Sequence, residues 1–228
     1  MKKFLALILG LCLTISCFSV FVLAADPEAK IGETNYNTLA DAIEALNADT
    51  GSDEKTLTLL KDVALNGAQY TLKRSKVTLD GENHTVALTA TAAGSFLTVS
   101  GSDVTLKNLT VENKSSDFAG GIAHTGTGVS GFENVKVVYP QNAKYAATST
   151  AFYIVGNASA KLELTIRNCS ATTGKNRFFT VEGGAQKVEV TLIDNNFVNP
   201  ADYGRCADIK GEGSKVIVKS GYYQTNST

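Results

Sequence analysis

The sequence predicts an all-β fold, a single-stranded parallel β-helix (solenoid) of about six to seven coils with an N-terminal capping α-helix. Two residue columns with one period predict the coils, and the short apolar alternation between them predicts the strands. The first column reads apolar, any, apolar, any, then a turn residue. It occurs at Val77-Thr-Leu-Asp-Gly81, Val104-Thr-Leu-Lys-Asn108 and Ser130-Gly-Phe-Glu-Asn134. It returns at Leu164-Thr-Ile-Arg-Asn168, Val190-Thr-Leu-Ile-Asp194 and Val216-Ile-Val-Lys-Ser220. The closing positions are separated by 27, 26, 34, 26 and 26 residues. The long interval contains Tyr139-Pro-Gln-Asn-Ala-Lys-Tyr145, which reads as an inserted loop. The second column brings apolar residues up to a Gly or Asn: Phe96 to Gly101, Ile122 to Gly126, Tyr153 to Asn157, Phe178 to Gly183 and Cys206 to Gly211.

Period-2 apolar runs bounded by Gly, Asn and Asp are strands and turns. About three such strands fit in each repeat, and a unit of that size cannot bury its apolar face alone. Stacked copies can, each about 4.8 Å above the last. The inward candidates on one sheet are Leu79, Leu106, Phe132, Ile166, Leu192 and Val218. On another they are Val99, Val155, Val181 and Ile209, with His124 in the same column. The Asn and Gly positions fit bends that need an unusual backbone. Stacked Asn108 and Asn134 can also bond amide to amide along the axis.

A bare coil end would pair with another molecule. At the front, residues 37–48 predict a cap helix, with Leu39, Ala42, Ile43 and Leu46 at helical spacing and Thr38 with Asp41 as its start. Leu57-Thr-Leu-Leu60 reads as the first strand. No such plug follows Ser220: either Tyr222 and Tyr223 cover the last coil, or more chain or another body does.

Residues 1–24 read as a secretory signal peptide and 25–228 as one domain. Lys2 and Lys3 precede an apolar run from Phe4 to Leu23 that ends in Val22-Leu23-Ala24. A retained anchor is the rival, since the run is about long enough to span. A lipoprotein cleavage at Cys17 is disfavoured by Thr14 and by the apolar run beyond it. The whole chain carries 21 Lys and Arg against 22 Asp and Glu; losing two lysines leaves a net charge of −3. That balance gives no footprint for nucleic acid. With 43% hydrophobic and 19% charged residues, the chain is globular in composition. Of the 4 Cys, only Cys169 and Cys206 survive cleavage. They fall in different columns and are expected to stay reduced. Without a Cys/His cluster, no metal and no cofactor is expected.

Three stretches carry a resemblance: Ile31-Gly-Glu-Thr-Asn-Tyr36 through Ile43, Thr58-Leu-Leu-Lys61-Asp62-Val63, and Val77-Thr-Leu-Asp-Gly81-Glu-Asn-His84-Thr-Val86. Together they resemble the opening of pectate-lyase-like right-handed β-helix modules of secreted and cell-surface bacterial proteins. Lys219-Ser-Gly-Tyr-Tyr223 is similar to their coil ends, so the likeness runs from residue 31 to about 223. It implies a right-handed winding and an extracytoplasmic, bacterial setting. Function varies across that fold. Its pectin-type hydrolases carry paired Asp motifs, Gly-His-Gly and Arg-Ile-Lys. Here no Asp pair and no Gly-His-Gly occurs, and Asp208-Ile-Lys210 lacks the Arg. The clustered acids that lyases use for calcium are dispersed. No catalytic residue is therefore assigned.

One constellation remains. Arg177 and Arg205 occupy equivalent repeat positions, with Lys175, Glu182, Tyr203, Asp208 and Lys210 in neighbouring columns. Stacked guanidinium groups can hold carboxylates bidentately, as uronic acids present them; the alternative is a solvated face of ordinary ion pairs. Tyr139, Tyr145, Tyr203, Tyr222 and Tyr223 could form a sugar platform. Phe96, Phe152 and Phe178 share a column and read as core. His124 reads as a satisfied core histidine, far from His84 in the repeat. The Asn-x-Ser/Thr sequons at Asn83, Asn108, Asn113, Asn157, Asn168 and Asn226 read as bend residues.

The expectation is a secreted or surface-displayed, non-catalytic solenoid for adhesion, binding polysaccharide or cell-surface glycan. It would meet a membrane only through the transient signal peptide. A lyase or hydrolase acting on uronic-acid polymers is the alternative from another class. A stalk segment of a longer surface protein is the third.

Overall fold

Leu, Val, Ile and Thr at alternate positions make short strands whose apolar side must be covered. The computed structural model describes residues 26–67, 69–89, 95–114, 120–139, 150–156, 160–172, 177–182, 188–199, 206–210 and 212–225. In it the strands stack into a parallel β-solenoid of about five turns, with one short helix. The signal segment lies outside the described residues.

Face one is a six-stranded parallel sheet. It holds β5 (Tyr70–Leu72), β8 (Ser95–Val99), β10 (Gly120–His124), β12 (Thr150–Val155), β15 (Arg177–Glu182) and β18 (Ala207–Ile209). A fourteen-stranded sheet makes the other two faces. Face two holds β3 (Lys55–Leu59), β6 (Val77–Asp80), the first parts of β9 (Val104–Asn113) and β11 (Gly128–Val138), β13 (Leu162–Arg167), β16 (Val188–Ile193) and β19 (Lys215–Val218). Face three holds β4 (Val63–Leu65), β7 (Thr85–Leu88), the second parts of β9 and β11, β14 (Ser170–Thr172), β17 (Asn195–Asn199) and β20 (Gly221–Thr225).

The edge between faces two and three is made by the Asn column. Asn108, Asn134, Asn168 and Asp194 have φ of 52, 53, 50 and 54°, a left-handed backbone that Asn and Asp tolerate better than most residues. In β9 the buried positions run 104, 106, then 109, 111, so the alternation skips at Asn108 and the chain turns a corner without leaving the sheet. Along the axis, Asn108 Nδ2 donates to Asp80 Oδ1 and Asn134 Nδ2 donates to Asn108 Oδ1, both at 3.0 Å. Asn168 Nδ2 donates to Asn134 Oδ1 in turn. The amide ladder read from the sequence is present, with a carboxylate at its foot. The bend between faces one and two is kept by glycine instead. A Cβ at Gly101 would lie 2.1 Å from Arg74 O, and one at Gly126 would lie 2.1 Å from Gly101 O. Backbone sits on backbone there, leaving no room for a side chain.

On face two, Leu57, Leu79, Leu106, Phe132, Ile166 and Leu192 stand in register and are each at most 2% exposed. Val218 continues the column but is 59% exposed, because no rung among the described residues covers it. On face one the inward column is Leu72, Val99, His124, Ile154, Val181 and Ile209. This corrects the expectation for Val155: Ile154 takes the inward place and Val155 pairs with Glu182. The consecutive apolar residues of β12 hide the period. Ile209, like Val218, ends its column uncovered, at 48% exposure. Phe96, Phe152 and Phe178 are all core, yet they do not share one register, since Phe152 pairs with Ile122 and Phe179. The N–H groups of Phe178 and Phe179 both donate to Cys206 O, at 3.2 and 3.3 Å, which is a bulge that turns both rings inward. Phe178 lies against Phe152, Phe197 and Tyr223, with ring centroids 5.4, 5.1 and 5.9 Å away.

The front is closed more thoroughly than the sequence foretells. The helix α1 (Leu39–Ala48) buries Leu39, Ala42, Ile43 and Leu46, and Thr38 caps it by accepting Asp41 N–H at 3.1 Å. The first strand is not at Leu57. A hairpin of β1 (Ala29–Ile31) and β2 (Thr34–Tyr36) precedes it, and β1 pairs antiparallel with β3. That pairing occupies the free edge of face two, the edge otherwise open to another chain. Cys169 and Cys206 are both free thiols, as expected.

Candidate functional site

Of the residues singled out in the sequence, those that the structure describes gather at one end of face one. The outward column there is Thr98, Ala123, Tyr153, Thr180 and Asp208, one residue per rung. Strand alternation dictates this: each is the neighbour of an inward residue. Arg177 and Glu182 bracket β15, and Lys210 follows β18.

Their geometry is one of pairing. The Arg177 guanidinium lies 3.5 Å from Asp208 Oδ2 and is almost wholly buried. Lys210 Nζ donates to Glu182 Oε1 at 2.8 Å and lies 3.9 Å from Asp208 Oδ2. Two cations thus meet two anions. The hydrogen bond to Glu182, then that carboxylate's charge, raises the Lys210 pKa above the ordinary lysine range. Lys210 is therefore an ammonium, a donor and not a base. Burial, then the Glu182 charge, also raises the Tyr153 phenol. Tyr153 stays a hydroxyl that can donate and accept. Thr180 is 1% exposed, and its Oγ1 has no hydrogen-bond partner among the described residues.

Of the residues expected at this place, Arg177, Glu182, Asp208 and Lys210 are brought together. Lys175, Tyr203 and Arg205 lie outside the described residues, as does Tyr145. Tyr153 and Thr180 were missed by the sequence reading. The signal was available, since they flank inward Phe152 and Val181. Tyr139 corrects the sugar-platform expectation. It is buried, donates its hydroxyl to Thr150 O at 3.0 Å, and serves the core. Tyr223 packs half-buried on Phe178, while Tyr222 is exposed and donates to Gln224 Oε1 at 2.6 Å. Burial pushes the Cys169 thiol up to about 12, so it is no nucleophile at neutral pH.

A recess of about 700 Å³ opens on the outer side of face two, lined by Ser52, Glu54, Lys76, Thr78, Asp103 and Thr105. It does not adjoin the charged cluster. Among the described residues, no group of three or more His, Cys, Asp or Glu is placed to hold a metal ion. Among them, too, no helix is long and apolar enough to cross a membrane.

No protein-family model matches the chain, and no curated protein and no solved structure matches it. What the structure supports is the parallel β-solenoid itself.

Proposed function

We propose that the chain is an exported, non-catalytic β-solenoid that binds glycan at a bacterial cell surface. We take its winding to be right-handed, as nearly all parallel crossovers are, and the six returns of the turn-residue column in the sequence support about six to seven coils. The pectate-lyase-like resemblance and the signal segment support the setting.

One observation carries the binding reading. On the outer side of face one the four charges neutralise each other through Arg177–Asp208 and Lys210–Glu182. What the strip offers a ligand is then the hydroxyls of Thr98 and Tyr153, two rungs apart with Ala123 between them. Such a strip suits a polyhydroxyl chain lying along the axis, held by many weak hydrogen bonds. It suits proton abstraction poorly, because Lys210 is held charged and an arginine does not deprotonate in proteins.

A glycan array probed with the mature domain tests this. Binding to neutral or weakly charged polysaccharide is expected, weakened about tenfold by Tyr153→Phe with Thr98→Val together. An ultraviolet assay for unsaturated uronate run on the same preparation decides the rival class. Product formation on polyuronate, with no array signal, overturns the proposal.

A further inference from the structure

His124 interrupts an otherwise apolar inward column at its middle. Val99 lies on the rung below and Ile154 on the rung above. Phe132 faces it across the interior, with ring centroids 6.1 Å apart. The imidazole is fully buried. Its Nδ1 accepts the Gly126 N–H at 3.1 Å, which makes the ring neutral with its proton on Nε2. That Nε2–H has no hydrogen-bond partner among the described residues. The turn it belongs to has no slack, because a Cβ at Gly126 would meet Gly101 O at 2.1 Å and His124 Cε1 at 3.1 Å.

A second proton has one place to go, Nδ1, and there it expels the Gly126 N–H. The ring would then hold a full charge and two donors in a dry interior. Among the described residues, nothing facing it can compensate. Strand β8 carries no ionisable side chain, and β10 carries none besides His124. On β12 the ionisable group is Tyr153, on the outer side. Glu133 and Lys136 of β11 are exposed outside. Asp103, in the turn below, is exposed and accepts the Val129 N–H at 2.8 Å.

We propose that His124 makes the solenoid acid-labile at its middle rung: protonating this one ring releases residues 125–127 and separates the coils on either side. The bond lost first is between Gly126 and the ring; the next is Thr125 N–H to Val99 O, 2.8 Å. Burial alone holds the imidazole pKa down from 6.5 to about 4. The unfolded chain therefore takes up the proton first. Stability from the neutral ring is whole above the unfolded value, falls as the pH drops below it, and is exhausted near the folded value.

Chemical denaturation of the mature protein across that window tests the proposal. Between about pH 7 and pH 4.5 the unfolding constant should rise roughly fiftyfold more in the parent than in His124→Val. Valine already fills the rung below, so the variant suits the column. The parent alone supplies a second readout if the variant fails to fold. Amide exchange at Thr125 and Gly126, corrected for intrinsic rates, should accelerate as the pH falls, ahead of amides in β16. Equal pH slopes in parent and variant overturn the proposal. So does an imidazole resonance of His124 that titrates while those two amides keep their protection.

Discussion

At the front of the solenoid Leu57 starts the inward column of face two, wholly buried beside the strand β1 that pairs with it. At the far end Val218 finishes the same column and is 59% exposed. Both residues point inward from equivalent rungs. The difference teaches that in a stacked fold burial belongs to the neighbour above or below, and not to the residue's own strand. The front is also knotted by Arg74, whose guanidinium donates to Gly51 O at 3.2 Å, Asp53 O at 2.7 Å and Ser75 O at 3.0 Å. It also lies 3.3 Å from carboxylate oxygens of both Asp49 and Asp53. Nothing comparable ties down Ile209 and Val218 among the described residues.

The sharpest way to break this comparison is to truncate both ends of one column. Leu57→Ala should cost about 3 kcal/mol, since the rungs around it cannot collapse into the cavity. Val218→Ala should cost under about 0.5 kcal/mol, because most of that side chain is already in water. Urea denaturation at neutral pH measures both. Equal losses would mean that the far end is covered in solution.

Arg74→Met comes next, at about 2–3 kcal/mol. The methionine keeps some of the packing, but several carbonyls lose a charged donor. The loss should be local: hydrogen exchange should quicken in α1 and β3 while β16 keeps its protection. Uniform quickening would show that the front cap and the middle coils melt as one body.

How much of this was legible follows from what repeats. The period, the inward column of face two and the Asn bends recur and so announce themselves. The cap helix is legible for another reason, its 3.6-residue spacing from Leu39 to Leu46. Features that occur once were lost. The strands of the β1–β2 hairpin are three residues each and too short to display alternation. Consecutive apolar residues in β12 left Ile154 and Val155 indistinguishable until the register was seen. The bulge at Phe178 and Phe179 joins two identical residues, so no pattern could mark it. Arg74 sits in a polar stretch, and its partners Gly51 and Asp53 lie more than twenty residues away in sequence. At the outer strip the charged residues were legible because they are unusual in a strand. Tyr153 and Thr180 looked like filler.

The ladder between faces two and three offers a smaller effect, placed midway between the ends. Asn134 both accepts from Asn168 and donates to Asn108. Asn134→Gly keeps the left-handed backbone and removes two side-chain bonds, for about 1–2 kcal/mol. Asn134→Ala adds the strain of φ near 53° and should cost about 1 kcal/mol more. If the two variants melt alike, the ladder's worth is in its bonds and not in its bend.

The smallest effect concerns the foot of that ladder, and it separates the front from the far end by charge. Asp80 accepts from Asn108 Nδ2 and Glu82 N–H, and pairs with Lys107 at 2.8 Å. At the other end Asp194 takes the left-handed bend, and its own N–H donates to Ser220. Burial raises the Asp80 pKa, but the bonds from Lys107, Glu82 and Asn108 outweigh it and leave the carboxyl below its ordinary value. A depressed carboxylate stabilises above its unfolded pKa and loses that contribution as the pH falls through the folded value. Asp80→Asn should therefore cost about 1 kcal/mol at neutral pH and progressively less as the pH falls below the ordinary carboxylate range. Acid sensitivity from the His124 ring appears in all these variants and cancels when each is compared with the parent at the same pH. The Asp80 contribution is what remains, so the two acid effects can be read separately in one set of titrations.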